Sequence, residues 1–432
     1  AWLCLSRILP VARETDMTDT DRGSNLAING ERLWDSLMRM AEIGALPGGG
    51  CRRLGLTPED SAGRAMLVGW ARENGYGVAR DRIGNLFIRR PGTRPELAPV
   101  MMGSHLDTVV TGGRFDGVLG VLGGLEVLRT LDDAGVATER TLELVVWTNE
   151  EGARFAPGNT GAFAFAGKYT LEQALAHSDV DGTRVGDALQ ALGELGPEPV
   201  GGRPIEACFE LHIEQGPYLE RAAIPVGIVT GTYTVRYFNL TIAGQASHLA
   251  QPLTERRDAM VGMAEAILAI RRVGAAHGEQ GRSNASWVKV FPNVRGTVAE
   301  TVQMSCDVRH ADPEVARAMA ADLHASIEDA SRRTGIAMTL DPFHQFGPVH
   351  FDGGLVELLR RTARSRGHQC QDILTVAGHD AIALAPIAPT AMIFVPSAAG
   401  LSHNEREYTD PAACAAGTDV LLHAVLAKAG RG

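Results

Sequence analysis

The sequence lacks the features of several protein classes. Its six cysteines are scattered singly without a C-x-x-C pair, so it indicates neither a disulfide framework nor a zinc–thiolate site, and a cytoplasmic location is expected. Lysine and arginine number 41 against 51 acidic residues, a net charge of −10, which argues against binding to nucleic acid or an anionic membrane. The apolar stretch 381–401 contains three prolines, so we do not interpret it as a membrane span.

The first half of the chain alternates between helical and strand patterns. The 432 residues suffice for two or three domains, and residues 1–24 are predicted to be a flexible leader. Segments 99–104 and 142–148 are short apolar runs that end in polar residues, as buried parallel strands do. Segment 118–131 between them reads as a glycine-containing helix that can pack closely on a sheet. The pattern predicts a helix–sheet–helix sandwich with active residues at the carboxyl ends of its strands.

A different order of elements begins near residue 229. The predicted elements are a strand (234–242), a helix (257–272), strands (286–291 and 301–309), a helix (313–334) and a strand (336–340). This β-α-β-β-α-β order is typical of a ferredoxin-like unit. We therefore predict an α/β protein whose catalytic domain spans residues 25–228 and 343–432. An α+β ferredoxin-like lid and dimerisation domain is inserted at 229–342.

Polar residues follow the first predicted strand. GSHLDT places His105 and Asp107 where strand 99–104 ends, and their two-residue spacing directs both side chains to one side of an extended chain. GGRFDG places Asp116 at the start of the glycine-rich helix. A carboxylate at that point can bridge metal ions, although it can also simply cap the helix.

Similar polar residues follow the later strands. WTNEEGARF places Glu150 and Glu151 after strand 142–148, where two adjacent carboxylates repel each other unless a cation or a proton intervenes. LHIEQGP and LSHNERE add His212 and His403 after further apolar runs. Each motif alone has an ordinary explanation, because a glutamate pair can lie in a solvated turn and a lone buried histidine can be a core residue. Their shared position after predicted strands favours a common site.

Three histidines and three carboxylates suit a metal centre. Imidazole and carboxylate ligands without thiolate favour zinc, manganese, cobalt or nickel. Five ligands and one spare carboxylate are the components of a two-metal hydrolase, in which Asp116 would bridge ions roughly 3.5–4 Å apart and a bridging water would lose its proton. The spare glutamate would then act as the general base.

The motifs GSHLDT, GGRFDG, TNEEGARF, LHIEQGP, AGHDA and SHNEREYT together resemble those of the hydantoinase/carbamoylase amidases. The resemblance spans roughly residues 28–430 and keeps the motifs in order. This family, part of the aminoacylase-like metallopeptidase clan, includes N-carbamoyl-L-amino-acid hydrolases, dinuclear β-ureidopropionases and allantoate amidohydrolases. The resemblance implies an enzyme that cleaves N-carbamoyl (ureido) amino acids to the amino acid, carbon dioxide and ammonia.

The resemblance also implies roles for individual residues. It makes Glu150 the general base that activates a metal-bridging hydroxide, and Asp107 the residue that orients His105. It implies a homodimer formed through the inserted domain, with Gln215, His248 and Arg309 contacting the substrate. The two divalent metal ions of each subunit would be held by His105, Asp116, Glu151, His212 and His403. In the family the peptide bond after the bridging aspartate is often cis, which here would be the bond between Asp116 and Gly117.

Arg309 is also a candidate from its strand pattern. Apolar and polar residues alternate over 302–309, which places Arg309 on a polar face where it suits bidentate capture of a substrate carboxylate, although a surface ion pair is the alternative. Around it the chain departs from the family. LAQPLTERRDA follows His248, Glu405 stands where proline is common, and Gly296 stands where a substrate-binding asparagine is expected, with Asn293 as a nearby substitute. The metal site is intact while the substrate pocket is altered.

Three other functions remain open from the sequence. Within the clan, the alternatives are an N-acyl-amino-acid amidase or dipeptidase and an allantoate-type amidohydrolase. A metal-stabilised binding protein with a dead site is an alternative from another class. Glu150 argues against that last possibility, because a purely structural metal site has no use for an unligated acid beside a ligand.

Overall fold

The computed structural model describes residues 26–432, so the predicted leader 1–24 lies outside the described residues. Twelve α-helices occur within this part of the chain: α1 (Gly30–Ala41), α2 (Pro58–Glu73), α3 (Val118–Asp133), α4 (Thr160–Phe165), α5 (Leu171–Ala176), α6 (Val185–Leu192), α7 (Tyr218–Ala222), α8 (Ala259–Ala276), α9 (Pro313–Thr334), α10 (Gly353–Ser365), α11 (Asp380–Leu384) and α12 (Pro411–Ala429). Fourteen strands accompany them: β1 (Gly77–Arg80), β2 (Leu86–Arg90), β3 (Val100–His105), β4 (Leu142–Trp147), β5 (Ala207–Ile213), β6 (Val226–Thr232), β7 (Thr234–Ala243), β8 (Ser247–His248), β9 (Arg282–Phe291), β10 (Thr297–Val298), β11 (Thr301–His310), β12 (Ala337–Phe346), β13 (Cys370–Thr375) and β14 (Thr390–Val395).

An eight-stranded sheet forms the larger part of the fold. Its strand order is β1-β2-β4-β3-β5-β14-β6-β13, and the four central strands β4, β3, β5 and β14 are mutually parallel. Every residue of these four strands is buried, because helices cover both faces of the sheet. Helices α1, α2, α3, α10 and α12 contribute to the core on one face, and α4 and α11 to the core on the other. The predicted helix–sheet–helix sandwich is confirmed.

Glycines let α3 lie directly on this sheet, as its sequence predicted. A Cβ atom on Gly120 would come within 2.4 Å of the backbone oxygen of Leu211, and one on Gly124 within 2.6 Å of the Leu144 side chain. Larger residues at either position would push the helix away from the strands. Because α3 begins two residues after Asp116, this close packing also holds the turn that carries the Asp116 carboxylate.

The ferredoxin-like part contains the predicted elements in the predicted order. Strands β7, β9, β11 and β12 form an antiparallel sheet with the order β12-β7-β11-β9, and α8 and α9 share a core with one face of it. This sheet spans residues 234–346, while the domain boundaries at 229 and 342 stay a prediction. Strand β12 runs to Phe346, six residues beyond the end expected from the sequence. The α/β class with an added α+β unit is confirmed.

Helix α12 is the one described helix long and apolar enough to cross a membrane, judged by length and composition. Within the fold, 67% of its most apolar window is buried, and its residues belong to the core beneath the large sheet. Its hydrophobicity is therefore accounted for by packing.

Candidate metal centre

The carboxyl ends of four parallel strands bring the predicted ligands together. His105 ends β3, Glu150 and Glu151 follow β4, and His212 lies in β5. His403 follows β14, which lies beside β5 in the sheet. Parallel neighbours end at the same edge, so ligands distant in sequence meet there.

Asp116 connects two groups of possible ligands. In the first group its Oδ1 lies 3.1 Å from Nε2 of His212 and 3.7 Å from Nε2 of His105. In the second group its Oδ2 lies 3.5 Å from Nε2 of His403, which lies 3.2 Å from Oε2 of Glu151. Within each group the candidate ligand atoms are all within 4.8 Å of one another. One carboxylate therefore faces two histidine-containing pockets, one oxygen toward each.

The charges in this cluster depend strongly on one another. Burial by itself would raise the pKa of Asp116, but its contacts with His212 and His403 hold that pKa well below its ordinary value. Burial opposes protonation of the two imidazoles, yet Asp116 raises the pKa of His212 to about 9, and Glu151 with Asp116 raises the pKa of His403 to about 11. Protons on these histidines thus balance the carboxylates, and a divalent cation can replace those protons.

Glu150 lies beside the cluster in a different environment. Burial, followed by the negative charges of Asp380 and Glu151, raises its pKa well above the ordinary value. Its Oε1 accepts a 2.8 Å hydrogen bond from Nδ2 of Asn159, which lies 3.3 Å from a carboxylate oxygen of Asp380. Its Oε2 lies 3.4 Å from Nε2 of His105. Glu150 is thus held in a fixed orientation at the edge of the cluster.

Asp107 contacts His105 through its backbone. The backbone carbonyl of Asp107, not its carboxylate, lies 2.9 Å from Nδ1 of His105. The carboxylate instead accepts hydrogen bonds from the backbone N–H groups of Glu150 and Glu151, both at 3.2 Å. Asp107 lies beyond the end of β3, where its carboxylate meets the loop that follows β4. Asp107 therefore fixes the loop that carries both glutamates.

The bond between Asp116 and Gly117 is not among the cis peptide bonds of residues 26–432, so this expectation from the resemblance was wrong. The chain turns here through Gly117, whose φ is +69°. A Cβ on Gly117 would lie 2.3 Å from the His105 ring. Glycine is thus needed for both the backbone conformation and the space beside a candidate ligand.

Glu407 and Ser402 hold Asp116 from the opposite side. Oε1 of Glu407 accepts from the backbone N–H groups of Phe115 and Asp116, at 2.9 and 3.1 Å. The hydroxyl of Ser402 lies 2.6 Å from Oδ2 of Asp116 and 2.9 Å from Oε2 of Glu407. These contacts tie the loop of His403 to the turn that carries Asp116.

Gln215 is the first predicted substrate residue to reach the cluster. Its Nε2 donates a 2.8 Å hydrogen bond to Oδ2 of Asp116. Its Oε1 is buried and has no hydrogen-bond partner among the described residues. A buried acceptor without a partner is costly, so this oxygen is well placed to accept from a bound molecule.

A third group of possible ligands, Glu210, His212 and His379, lies within the fold and shares His212 with the first group. Both oxygens of Glu210 already accept hydrogen bonds, one from Ser104 and one from the backbone of Ala381, each at 2.7 Å. This group therefore supports the His212 side of the centre more than it offers a separate site for a cation.

A cavity of about 660 Å³ extends from the cluster to the four-stranded sheet. Arg309 lines it from the polar face of β11, the face predicted for it. Its Nε donates to Asp307 at 2.7 Å, and Nη1 donates to the backbone carbonyl of Val376 in the larger unit at 3.1 Å. The guanidinium thereby joins the two units at the wall of the cavity.

His248 and Asn293 are not among the residues that line this cavity. His248 is exposed on β8, where Thr297 of β10 pairs with it, and Asn293 is exposed in the loop that precedes β10. Gly296 lies in the same loop with a φ of +84°. The two predicted substrate residues therefore lie near each other but outside the cavity of a single chain.

Sequence reasoning assigned no role to the residues that hold the candidate ligands in place. Asn159 precedes α4 and Asp380 begins α11, yet the two meet beside Glu150. Asp380 lies in the AGHDA motif, which contributed to the family resemblance but gave Asp380 no role. No sequence pattern singled out Asn159. Glu407 belongs to the SHNERE motif, and its contact with the Asp116 turn spans almost 300 residues.

Comparisons with known proteins agree with this geometry. Residues 101–427 match Peptidase family M20/M25/M40. The chain is 41% identical over 408 residues to an N-carbamoyl-L-amino-acid amidohydrolase of Rhizobium meliloti, covering 94% of this chain and 98% of that protein. It is 38% identical to an N-carbamoyl-L-amino acid amidohydrolase of Geobacillus stearothermophilus, with 92% and 98% covered. A crystal structure of a hydantoinase/carbamoylase family amidase from Burkholderia vietnamiensis superposes with a TM-score of 0.92 at 44% identity, covering 94% of this chain and 98% of that one.

Proposed function

Because the chain belongs to Peptidase family M20/M25/M40, and within it to the hydantoinase/carbamoylase amidases, it is a metal-dependent hydrolase of amide C–N bonds, and we propose that its substrates are N-carbamoyl amino acids. The products would be the amino acid, carbon dioxide and ammonia. The observation that carries this proposal is Asp116, which faces two ligand groups with Glu150 held beside them.

We propose that the two groups hold two divalent cations. His105 and His212 would hold one, Glu151 and His403 the other, and Asp116 would contact both. The donor set fits zinc, manganese, cobalt or nickel, since it contains imidazole and carboxylate but no thiolate. When bound, such cations polarise a substrate carbonyl and make a nearby water more acidic.

Glu150 would act as the general base. It would take a proton from the attacking water and return it to the leaving nitrogen. Asn159 holds Oε1 of Glu150, and Asp107 holds its backbone, so Oε2 remains to face the cluster. A base fixed in this way loses little entropy when the reaction begins.

The substrate would lie between the cluster and Arg309. Gln215 has a free acceptor at the cluster end, which suits a ureido N–H donor. Arg309 supplies a cation on the wall that the four-stranded sheet contributes to the same cavity, which suits the free carboxylate of an amino acid. The two groups would thereby set the length and direction of the bound molecule.

We further propose a cytoplasmic homodimer with His248 supplied near the substrate on closure. Helix α8 exposes Met260, Val261, Ile267 and Leu268, a row of apolar side chains suited to contact with a second copy. The position of His248 outside the cavity of a single chain supports a contribution across subunits. Five cysteines of the described residues are unpaired, in keeping with a reducing compartment.

The test separates metal binding from base catalysis. Glu150→Gln should keep both metals and lose about 10²- to 10⁴-fold in turnover, since it removes a positioned base. His105→Ala should lose metal, because it removes a ligand. Elemental analysis of the purified variants and ammonia release from N-carbamoyl amino acids measure the two effects.

Two outcomes would contradict the proposal. If Glu150→Gln loses metal as His105→Ala does, the roles of the two neighbouring glutamates are reversed. If the metal-loaded wild type hydrolyses N-acetyl amino acids while releasing no ammonia from N-carbamoyl ones, it is an acylase of the same family. Allantoate, included in the same assay, tests the remaining alternative within the family.

A further inference from the structure

One wall of the cavity is rich in rings. Aromatic residues make up only 5% of the sequence. Nevertheless Tyr237, Trp287, Phe343 and Phe346 all line the cavity, together with His344. All five belong to the four-stranded sheet and none of them is a candidate metal ligand.

The register of β12 against β7 explains this concentration. His344 lies opposite Tyr237 and Phe346 opposite Val235, so the side chains point to the face that looks into the cavity. The register shifts between Pro342 and His344, and this bulge inserts Phe343 as an extra residue at the rim. Ring centroids lie 6.3 Å apart for Tyr237 and Phe346, and 6.2 Å apart for Tyr237 and His344.

The wall begins next to the reactive centre. Gly378 lies between the Phe346 ring and Asn159, the residue that holds Glu150. A Cβ added to Gly378 would lie 3.6 Å from the Phe346 ring and 3.6 Å from Oδ1 of Asn159. At its other side the guanidinium of Arg309 lies 5.7 Å from the centre of the Tyr237 ring. The rings therefore stand between the general base and the carboxylate-binding arginine.

These rings do not belong to the packed core of the sheet. The core shared with α8 and α9 lies on the opposite face, and Phe343 remains 45% exposed. Burial, followed by the charge of Lys168, lowers the pKa of His344 to about 4, so that its ring is uncharged at neutral pH. The wall is thus a largely apolar, half-buried surface along the cavity, in which Phe343 is exposed at the rim. A ligand side chain placed against it would bury further apolar surface.

We propose that Tyr237, His344 and Phe346, with Phe343 at the rim, form the subsite for the side chain of an N-carbamoyl α-amino acid, and that this side chain is large and apolar, preferably aromatic. This inference rests on the proposed function. The arginine and the Tyr237 ring are adjacent, which matches a carboxylate and a side chain that branch from the same carbon. A β-amino acid without a side chain would leave the wall uncovered.

The test compares kcat/KM for N-carbamoyl-L-phenylalanine, N-carbamoylglycine and N-carbamoyl-β-alanine with the metal-loaded enzyme. We expect the phenylalanine derivative to exceed the other two by roughly 10- to 200-fold, the discrimination that an apolar pocket achieves. Phe346→Ala should reduce that ratio about tenfold or more, whereas Phe346→Leu should keep most of it. Ile387→Ala is the control for truncation as such, because it shortens an apolar side chain that does not line the cavity.

The outcomes are distinguishable. Equal kcat/KM for the three substrates would overturn the subsite while leaving the proposed function in place. An equal loss on all three substrates in Phe346→Ala would also overturn it, because the ring would then support the sheet and not the side chain. A metal-loaded wild type that cleaves no ureido acid would overturn the proposed function and this subsite with it.

Discussion

Replacement of Arg309 should test whether the enzyme recognises a free carboxylate on its substrate. A guanidinium has five N–H donors. In this chain Nε donates to Asp307, Nη1 to the carbonyl of Val376, and Nη2 lies 3.5 Å from the hydroxyl of Tyr237. Two N–H groups, one on each terminal nitrogen, therefore remain for a ligand, which is what a bidentate carboxylate requires.

The expected magnitude follows from this arrangement. Hydrogen bonds to a charged partner contribute roughly 1.5–3 kcal/mol, which corresponds to about 10- to 150-fold in kcat/KM. Arg309→Lys keeps the positive charge but loses the planar fork, so it should still impair cleavage of the acid substrate. Complete removal of the charge would leave Asp307, which is 3% exposed, without its partner. The double variant Asp307→Asn/Arg309→Gln avoids a buried unpaired carboxylate.

The assay compares each N-carbamoyl amino acid with the analogue in which a primary amide replaces the carboxylate. The wild type should cleave the amide poorly, and the Arg309 variants should be little worse on the amide than the wild type is. Circular dichroism and metal content establish that the variants fold and load. Equal cleavage of acid and amide by the wild type would refute the reasoning, because Arg309 would then not recognise a carboxylate.

Three further predictions concern other parts of the centre. Mixed dimers refolded from His248→Ala and Glu150→Gln chains should regain activity if His248 acts across subunits, whereas recovery no higher than that of the parent variants would place His248 in its own site. Without metal the pKa of His212 is raised to about 9, so zinc must displace a proton when it binds. Calorimetry in buffers of different ionisation enthalpy should therefore show proton release and a zinc affinity that rises with pH toward 9. A zinc affinity that does not depend on pH would contradict this. The pKa of His344 is lowered to about 4 from 6.5, so the unfolded chain binds more protons between these values and the free energy of unfolding falls as pH falls. The ring is partly exposed, so solvent screening reduces the effect. Urea unfolding of His344→Phe should show a decrease in the free energy of unfolding between pH 7 and pH 5 that is about 1 kcal/mol smaller than in the wild type. The same pH dependence in both proteins would contradict the shifted pKa of His344.

The sequence predicted best those features that depend on short segments. Helix α3 and the strands before His105 and Glu150 were predicted within about two residues, because their apolar runs are continuous and their ends are polar. Strand β12 was predicted too short, since Pro342 usually ends a strand. It continues here because β12 is an edge strand of its sheet, where a missing N–H need not disturb the ladder.

The site was predicted as a set of residues but not as a network. Strand-end motifs indicated the candidate ligands, and the topology of parallel strands explains why these side chains meet. The contacts of Asn159 with Asp380, and of Glu407 with the Asp116 turn, join segments that are far apart in sequence and carry no common pattern. Spacing also could not determine which group of Asp107 meets His105, because that depends on the direction of a single carboxylate.

The candidate ligands and the rings of the cavity wall lie on different sheets, so one set can change while the other is kept. The candidate ligands lie at the end of four fully buried parallel strands. Hydrogen bonds within the larger unit hold the loops around them, and these bonds come from Asp107, Asn159 and Glu407. A change among those residues would leave a buried charge or donor unpaired, which is costly. The rings and Arg309 lie on the second sheet, where the bulged edge strand β12 and the loop of Gly296 can change without disturbing any ligand. Substitutions that reshape the cavity wall can therefore be made on the second sheet while every candidate ligand on the first keeps its hydrogen bonds.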